Sequence, residues 1–318
     1  MTFRGKVLLI DTAHPVLQDE LEKMGFECDY FPNAKKEDYI QMAENYVGFV
    51  IRSKIPLDGS ILPKAKNLKF IARVGAGMEN IDVDLSEKLG IQCFNAPEGN
   101  RDAVGEQAIG MLLALLNHLI RVDNEVRNGV WIRDENRGFE IKGKTVAIIG
   151  YGNTGEAFAK KLSGFEANII AFDKYKTGFS ASYVREVQMD EIFTTADILS
   201  FHVPLTSETN YLFNQTYVDN FQKSIYVINT SRGKVLNTLD LVHAINNGKV
   251  LGACLDVLEY EKFSFEAIQS DQLPDAFRQL IQMKNVILSP HIAGWTHESH
   301  YKLGKVLADK IRAAFIQE

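Results

Sequence analysis

The chain has 318 residues, enough for two domains of ordinary size, and its 46% apolar and 24% charged composition excludes a disordered or fibrous protein. A formal net charge of −6 gives it no general attraction for nucleic acid or for an anionic membrane. Its three cysteines, Cys28, Cys93 and Cys254, form no C-x-x-C pair and no metal-ligand spacing, so reduced thiols and no bound metal are expected.

The apolar run at 7–10 is too short for the core of a signal peptide and stops at Asp11. The longest apolar block, 108–116, falls well below the roughly 18 residues of a membrane span, so a cytoplasmic protein is expected. From there, short β-branched runs alternate with helical patterns, as in βαβ units with a parallel sheet. The early strands are predicted at 7–10, 48–51, 70–74 and 91–94, with helices such as 16–24 and 84–89 between them.

A long helix is predicted to start near Asn100, with Asn100 as its N-cap and Asp102 and Glu106 at the positive end of its dipole. Its stretch 108–116 is apolar on every side, which predicts burial all round, between domains or against a second subunit. A second set of strands follows at 145–149, 168–172, 197–203, 225–229, 251–256 and 285–288, and a helix over about 297–316 closes the chain. No repeat or low-complexity linker interrupts this order, so the domain junctions are expected to be tight crossings near 100 and 290.

The second set opens on Gly150-Tyr-Gly152-Asn153-Thr154-Gly155 between a strand and a helix. Gly150 allows the tight turn, Gly152 lets backbone N–H groups approach a pyrophosphate, and Gly155 lets the helix pack on the strand. The helix N-terminus adds partial positive charge. Asp173 ends the next strand, where a carboxylate binds ribose hydroxyls and repels a 2′-phosphate, favouring NAD over NADP despite Lys174 and Lys176 nearby.

Further strings extend over nearly the whole chain: 73–82 (RVGAGMENID), 95–100 (NAPEGN), 202–206 (HVPLT), 229–233 (NTSRG), 255–257 (LDV) and 290–294 (PHIAG). In this order and spacing they resemble the D-isomer-specific 2-hydroxyacid dehydrogenase family. The resemblance implies an α/β protein of two Rossmann-like or flavodoxin-like doubly wound domains, with mainly parallel sheets and a ligand cleft between them. Residues 1–100 with 291–318 would form a discontinuous substrate-binding domain, and 101–290 the NAD-binding Rossmann domain.

The resemblance also implies a catalytic set of Arg232, Glu261 and His291. Arg232 and His291 follow predicted strands directly, at the carboxyl ends where open α/β sheets place ligands. His291 would take the proton of the substrate hydroxyl, Glu261 would orient the imidazole and favour its charged form, and Arg232 would hold the substrate carboxylate or carbonyl. Glu259 rivals Glu261, because the family usually has Pro after this Glu and here Lys262 follows. The connection over 262–284 also looks longer than usual. His202, Val203, Pro204, Thr230, Asp256 and Gly294 are expected near the cofactor.

For the substrate, the resemblance implies binding of its carboxylate by the backbone at Val74 and Gly75, with Asn100 a further contact. Arg52, Ser53 and Arg73 resemble residues around the substrate tail in members acting on phosphoglycerate. Two guanidinium forks suit a phosphate, which makes D-3-phosphoglycerate, and so serine biosynthesis, the leading expectation. The alternatives are a hydroxypyruvate, glyoxylate or other 2-keto acid reductase, or an NAD-sensing protein related to corepressors. Gly129-Val-Trp131 resembles the family's dimer arm and implies a homodimer. Because the helix at 297–316 ends the chain, the extra C-terminal regulatory domain of some members is expected to be absent.

Overall fold

In the computed structural model, residues 3–261 and 273–316 are described, and they divide into two compact units, 1–101 with 295–318 and 102–294. The first unit begins β1 (Gly5–Leu9), α1 (Pro15–Lys23), β2 (Phe26–Tyr30), α2 (Lys36–Met42), β3 (Gly48–Ile51) and β4 (Phe70–Arg73). It continues with α3 (Val83–Lys88) and β5 (Gln92–Phe94). Helices α4 (Pro97–Leu116) and α5 (Leu119–Arg127) then lead to β6 (Thr145–Ile149), α6 (Asn153–Leu162), β7 (Asn168–Phe172), β8 (Arg185–Glu186), α7 (Met189–Thr195) and β9 (Ile198–Phe201). The remaining elements are α8 (Gln215–Asp219), β10 (Ile225–Asn229), α9 (Thr238–Asn246), β11 (Val250–Leu255), α10 (Asp275–Leu280), β12 (Val286–Leu288) and α11 (His297–Phe315).

The five strands of the first unit run in the order β2-β1-β3-β4-β5 and the seven of the second in the order β12-β11-β10-β9-β6-β7-β8. Every ladder between these strands is parallel. Parallel sheets are covered on both faces, so their strands are mostly apolar runs, as β3, β6 and β9 are. Each sheet has a core cluster on either face, around Phe49 and Phe70 in the first unit and around Phe201 and Phe158 in the second. The winding reverses beside β1 in the first sheet and beside β6 in the second. At those switch points doubly wound sheets leave a crevice for ligands.

Strands β2 and β8 and helix α4 differ from expectation. Strand β2 was not predicted, because Phe26-Glu-Cys-Asp-Tyr30 is an edge strand with exposed or half-buried polar positions and lacks a β-branched run. The long helix starts at Pro97, so Asn100 lies inside its first turns and is not the N-cap. Proline suits a first helical position because its missing N–H is one the helix leaves unpaired there. The stretch 108–116 is not buried all round, since Gly110 is exposed and Leu113 and Ala114 are half-buried. Its buried side chains pack with Ile148, Phe158 and Cys254 in the second unit's own core. Helix α4 ends where His118 adopts a left-handed backbone (φ 52°), and α5 departs at 58°. Among the described residues no single helix is long and apolar enough to cross a membrane.

Candidate active site

In the second unit the register aligns the strand ends. Ile149 lies opposite Phe172 and Phe201, Asn229 opposite Phe201 and Leu255, and Leu255 opposite Leu288. The residues that follow, Gly150, Asp173, His202, Thr230, Asp256 and Ser289, therefore form one row along the carboxyl edge of the sheet.

The three loop glycines meet three different surroundings. A Cβ on Gly150 would stand 2.6 Å from the His202 carbonyl oxygen and press on Val203, and the backbone there has φ 90°. A Cβ on Gly155 would collide with the Gly150 carbonyl oxygen, so this glycine sets the contact of α6 with β6. A Cβ on Gly152 would meet nothing within 4 Å, so here the backbone borders open space. Gly152 is also the N-cap of α6 and offers no side chain, leaving the N–H groups of the first turn, with Asn153 and Thr154, without that acceptor.

Asp173 is held beside this loop. One carboxylate oxygen accepts from Tyr151 N at 2.7 Å, and the other accepts from Tyr175 N and Lys176 N, both at 2.9 Å. Burial pushes its pKa up, but these N–H groups and Lys176 outweigh burial and bring it below the ordinary value. The neighbouring cations are engaged elsewhere: Lys174 pairs with Glu208 at 2.7 Å, and Lys176 donates to the Tyr151 carbonyl at 3.2 Å. His202 is buried, and its ring bridges Ser200 Oγ at 2.8 Å and Thr154 Oγ1 at 3.3 Å, tying β9 to the start of α6. Pro204 is exposed, two residues beyond His202.

These residues fit a dinucleotide. The open side of Gly152 and the uncapped turn suit a pyrophosphate, and the Asp173 oxygens suit ribose hydroxyls. In the same row Thr230 Oγ1 is buried with no hydrogen-bond partner among the described residues, an orphan that a ligand would satisfy.

Toward β12 the row leads to the positions expected for Arg232, Glu261 and His291. Asn229, almost wholly buried, accepts from Ser231 N and Ser231 Oγ and donates to the Arg232 carbonyl, which shapes the turn that presents Arg232. A Cβ on Gly233 would collide with the Leu258 carbonyl, so this glycine lets the 258–261 segment lie against that turn. His291 Nδ1 is 3.1 Å from Glu261 Oε2, both side chains being half-buried. Glu259, the rival, is otherwise engaged: it accepts from Tyr211 Oη at 2.8 Å and from Thr238 N at 2.9 Å. Of the long connection, 262–272 lie outside the described residues.

Asp256 is 1% exposed, and its carboxylate accepts from Ser289 Oγ, Ile292 N and Ala293 N at 2.6, 2.9 and 2.8 Å. Its side chain thus serves the turn around His291, and Gly294 follows half-buried.

The remaining residues expected to bind substrate lie in the first unit, those at 52–53 and 73–75 at strand ends and Asn100 in α4. Val74 N donates to the Ile51 carbonyl at 2.8 Å, so Arg52 and Ser53 lie beside Val74 and Gly75 on the adjacent strand. Arg73 folds back so that its guanidinium occupies the place a Cβ on Gly75 would take. Asn100 Oδ1 is buried with no partner among the described residues. Sequence reasoning missed Asp11, whose single oxygen Oδ2 accepts from the backbone N–H of Arg52, Ser53 and Lys54 at 2.8, 2.8 and 2.9 Å. The only signal was an acid closing the first apolar run.

Comparison with known proteins gives the family. Residues 109–293 match the family described as D-isomer specific 2-hydroxyacid dehydrogenase, NAD binding domain. The chain is 32% identical over 308 residues to the D-3-phosphoglycerate dehydrogenase of Archaeoglobus fulgidus, covering 96% of this chain but only 56% of that protein. It is 33% identical over 279 residues to the hydroxypyruvate reductase of Thermotoga maritima, covering 87% of each. The NAD-complexed D-isomer specific 2-hydroxyacid dehydrogenase of Lactobacillus delbrueckii ssp. bulgaricus shares its fold, with a TM-score of 0.82, 24% identity and 97% of each chain covered. The chain belongs to the D-isomer specific 2-hydroxyacid dehydrogenase family.

Proposed function

We propose that the chain is an NAD-dependent oxidoreductase acting on a D-2-hydroxy acid, with D-3-phosphoglycerate the leading substrate. The observation that carries this reading is the 3.1 Å pairing of His291 Nδ1 with Glu261 in the same row of strand ends as the glycine loop. A carboxylate only accepts, so Nδ1 bears the proton and the lone pair lies on Nε2. In oxidation Nε2 takes the proton of the substrate hydroxyl; in reduction the imidazolium returns it. Glu261 offsets the charge the ring gains. Arg232 holds the substrate's carboxylate or carbonyl oxygen and opposes the negative charge that develops there. Bound NAD supplies the hydride acceptor, and the Gly150–Gly155 loop, Asp173 and Thr230 would hold it.

The Asp173 carboxylate, kept ionised and next to the adenosine ribose in this reading, favours NAD over NADP. The phosphoglycerate assignment is supported by Arg52 and Arg73 at adjacent strand ends of the first unit. A hydroxypyruvate or glyoxylate reductase is the second reading, favoured by the similar identity to the Thermotoga maritima protein over most of its length.

The test follows NADH absorbance with D-3-phosphoglycerate, D-glycerate, hydroxypyruvate and glyoxylate, repeated on His291→Ala. Turnover with at least one acid, lost in the variant while NADH binding persists, is expected. No turnover with any of them, or full activity in the variant, rejects the reading.

A homodimer is also proposed. Leu119, Ile120 and Val126 of α5 are each about half exposed or more, and Trp131 is 79% exposed, an apolar surface of the kind that subunits cover. Sedimentation of wild type and Trp131→Ala would check it, with a monomeric wild type as the contrary result.

A further inference from the structure

Strands β7 and β9 lie on either side of β6, so the loops that follow them flank the glycine loop. The loop after β7 carries Asp173, Lys174, Tyr175 and Lys176, and the loop after β9 carries Glu208. Glu208 Oε1 pairs with Lys174 Nζ at 2.7 Å, and Glu208 Oε2 accepts from Tyr175 Oη at 2.6 Å. Both carboxylate oxygens are thus engaged across strand ends that are not neighbours in the sheet. Hydrogen bonds from Lys174 and then Tyr175 hold Glu208 below its ordinary pKa, so it is ionised at neutral pH.

Glu208 stands on a braced turn. Thr206 N donates to Thr209 Oγ1 at 2.8 Å, Thr209 Oγ1 donates to the Pro204 carbonyl at 2.6 Å, and Glu208 N donates to Thr206 Oγ1 at 3.3 Å. Its carboxylate therefore reaches Lys174 from a backbone that is itself held in place.

The opposite loop is short of negative charge. Asp173 disfavours a 2′-phosphate, but a carboxylate offers about four lone pairs, and here the N–H groups of Tyr151, Tyr175 and Lys176 already take three of them. Lys174 and Lys176 follow directly, and a cation beside the ribose attracts the phosphate that Asp173 repels. Lys176 is turned to the glycine loop, where its ammonium meets the Tyr151 carbonyl at 3.2 Å and lies 5.1 Å from the centre of the Tyr151 ring. Lys174 is turned to Glu208. Asp173 against two lysines leaves positive charge in excess, and Glu208 cancels it.

We propose that Glu208 is a specificity-determining residue for the dinucleotide. By occupying Lys174 it withholds the cation that a 2′-phosphate would recruit, and its own charge adds to the repulsion from Asp173. This rests on the reading that the glycine loop and Asp173 hold a dinucleotide, and adds to it a residue on another loop, 34 positions from Lys174. Preference for NAD is then shared between two loops, so loss of Glu208 alone, with Asp173 intact, admits the phosphorylated cofactor.

The adenosine half of the site can be probed without turnover. Adenosine 2′,5′-bisphosphate and AMP, which differ by the 2′-phosphate, are titrated calorimetrically into wild type, Glu208→Gln and the double variant Glu208→Gln with Lys174→Met. Both side chains are about half exposed, so these substitutions should leave Tm unchanged. Glu208→Gln is expected to tighten the bisphosphate about fivefold, with AMP altered by less than about twofold, the size that a water-screened pair allows. Adding Lys174→Met restores the net charge and should return the ratio of the two affinities to its wild-type value. An unchanged ratio in Glu208→Gln overturns Glu208 as a determinant. An equal gain for both nucleotides also overturns it, because a merely loosened loop acts on both alike. A gain that persists in the double variant overturns Lys174 as the cation withheld. Failure of folded wild type to bind either nucleotide overturns the dinucleotide reading itself.

Discussion

The Asp256 carbonyl accepts the backbone N–H of His291 at 2.7 Å, while the carboxylate of the same residue takes the two N–H groups that follow. His291 is held with φ 55°, a left-handed backbone uncommon outside glycine. One buried acid therefore maintains the strained turn that aims the imidazole.

Replacing Asp256 with Ala should strip acceptors from Ser289 Oγ, Ile292 N and Ala293 N, each loss costing about 1–3 kcal/mol. The ligand-free protein should then melt lower and turn over more slowly, with Asp256→Asn intermediate. Calorimetry without dinucleotide checks this. An unchanged Tm would show that the carboxylate is not a clamp of the turn.

The two nearby glutamates should separate cleanly. Glu261→Gln removes the charge facing His291 and should lower kcat by about tenfold or more with little change in Tm. Glu259→Gln disturbs the Tyr211 and Thr238 contacts and should cost about 1 kcal/mol of stability. Steady-state kinetics and melting of both variants decide it, and reversed effects would reassign the partner of His291.

Two alanine substitutions in one loop should act on different quantities. Gly155→Ala drives a Cβ into the Gly150 carbonyl oxygen and should lower Tm by several degrees, since overpacking typically costs about 1–3 kcal/mol. Gly152→Ala fills open space and should leave Tm nearly unchanged while weakening NADH binding by about tenfold. Fluorescence titration of NADH alongside melting curves separates them. Equal affinity in Gly152→Ala and wild type would remove the dinucleotide from that side of the loop.

His202 links stability to pH. Burial lowers its pKa from 6.5 to about 3. Between these values the unfolded chain binds a proton that the native protein refuses, so stability falls as pH drops below 6.5 and levels off near 3. The slope from this residue is at most roughly 1.4 kcal/mol per pH unit. His202→Gln should flatten the difference in urea stability between pH 6.5 and 4.5 relative to wild type. Parallel curves would mean that the imidazole protonates in the folded state.

Much of this architecture was legible in the chain. Strands β6, β7 and β10 lie where apolar runs predicted them, because a strand covered on both faces is written as an uninterrupted apolar stretch. Strand β2 was not, since an edge strand tolerates Glu27 and Asp29 and loses that signature. The glycine loop, Asp173, Arg232 and His291 could be singled out because each follows a strand end, a position that local pattern marks.

Local pattern could not choose between partners brought together from distant segments. Spacing alone left Glu259 and Glu261 as rivals for His291, and the turn at Gly233 packed against Leu258 sends one to Tyr211 and the other to the imidazole. Nor could it show Asp11 under the Arg52 loop or Trp295 stacked on Arg52, which join residues more than forty and two hundred positions apart. The sequence by itself determined most of the strands, the glycine loop and the reactive residue types, because these depend on neighbours along the chain. Only the tertiary structure decided which acid meets which base, because such pairings depend on through-space distances set by packing.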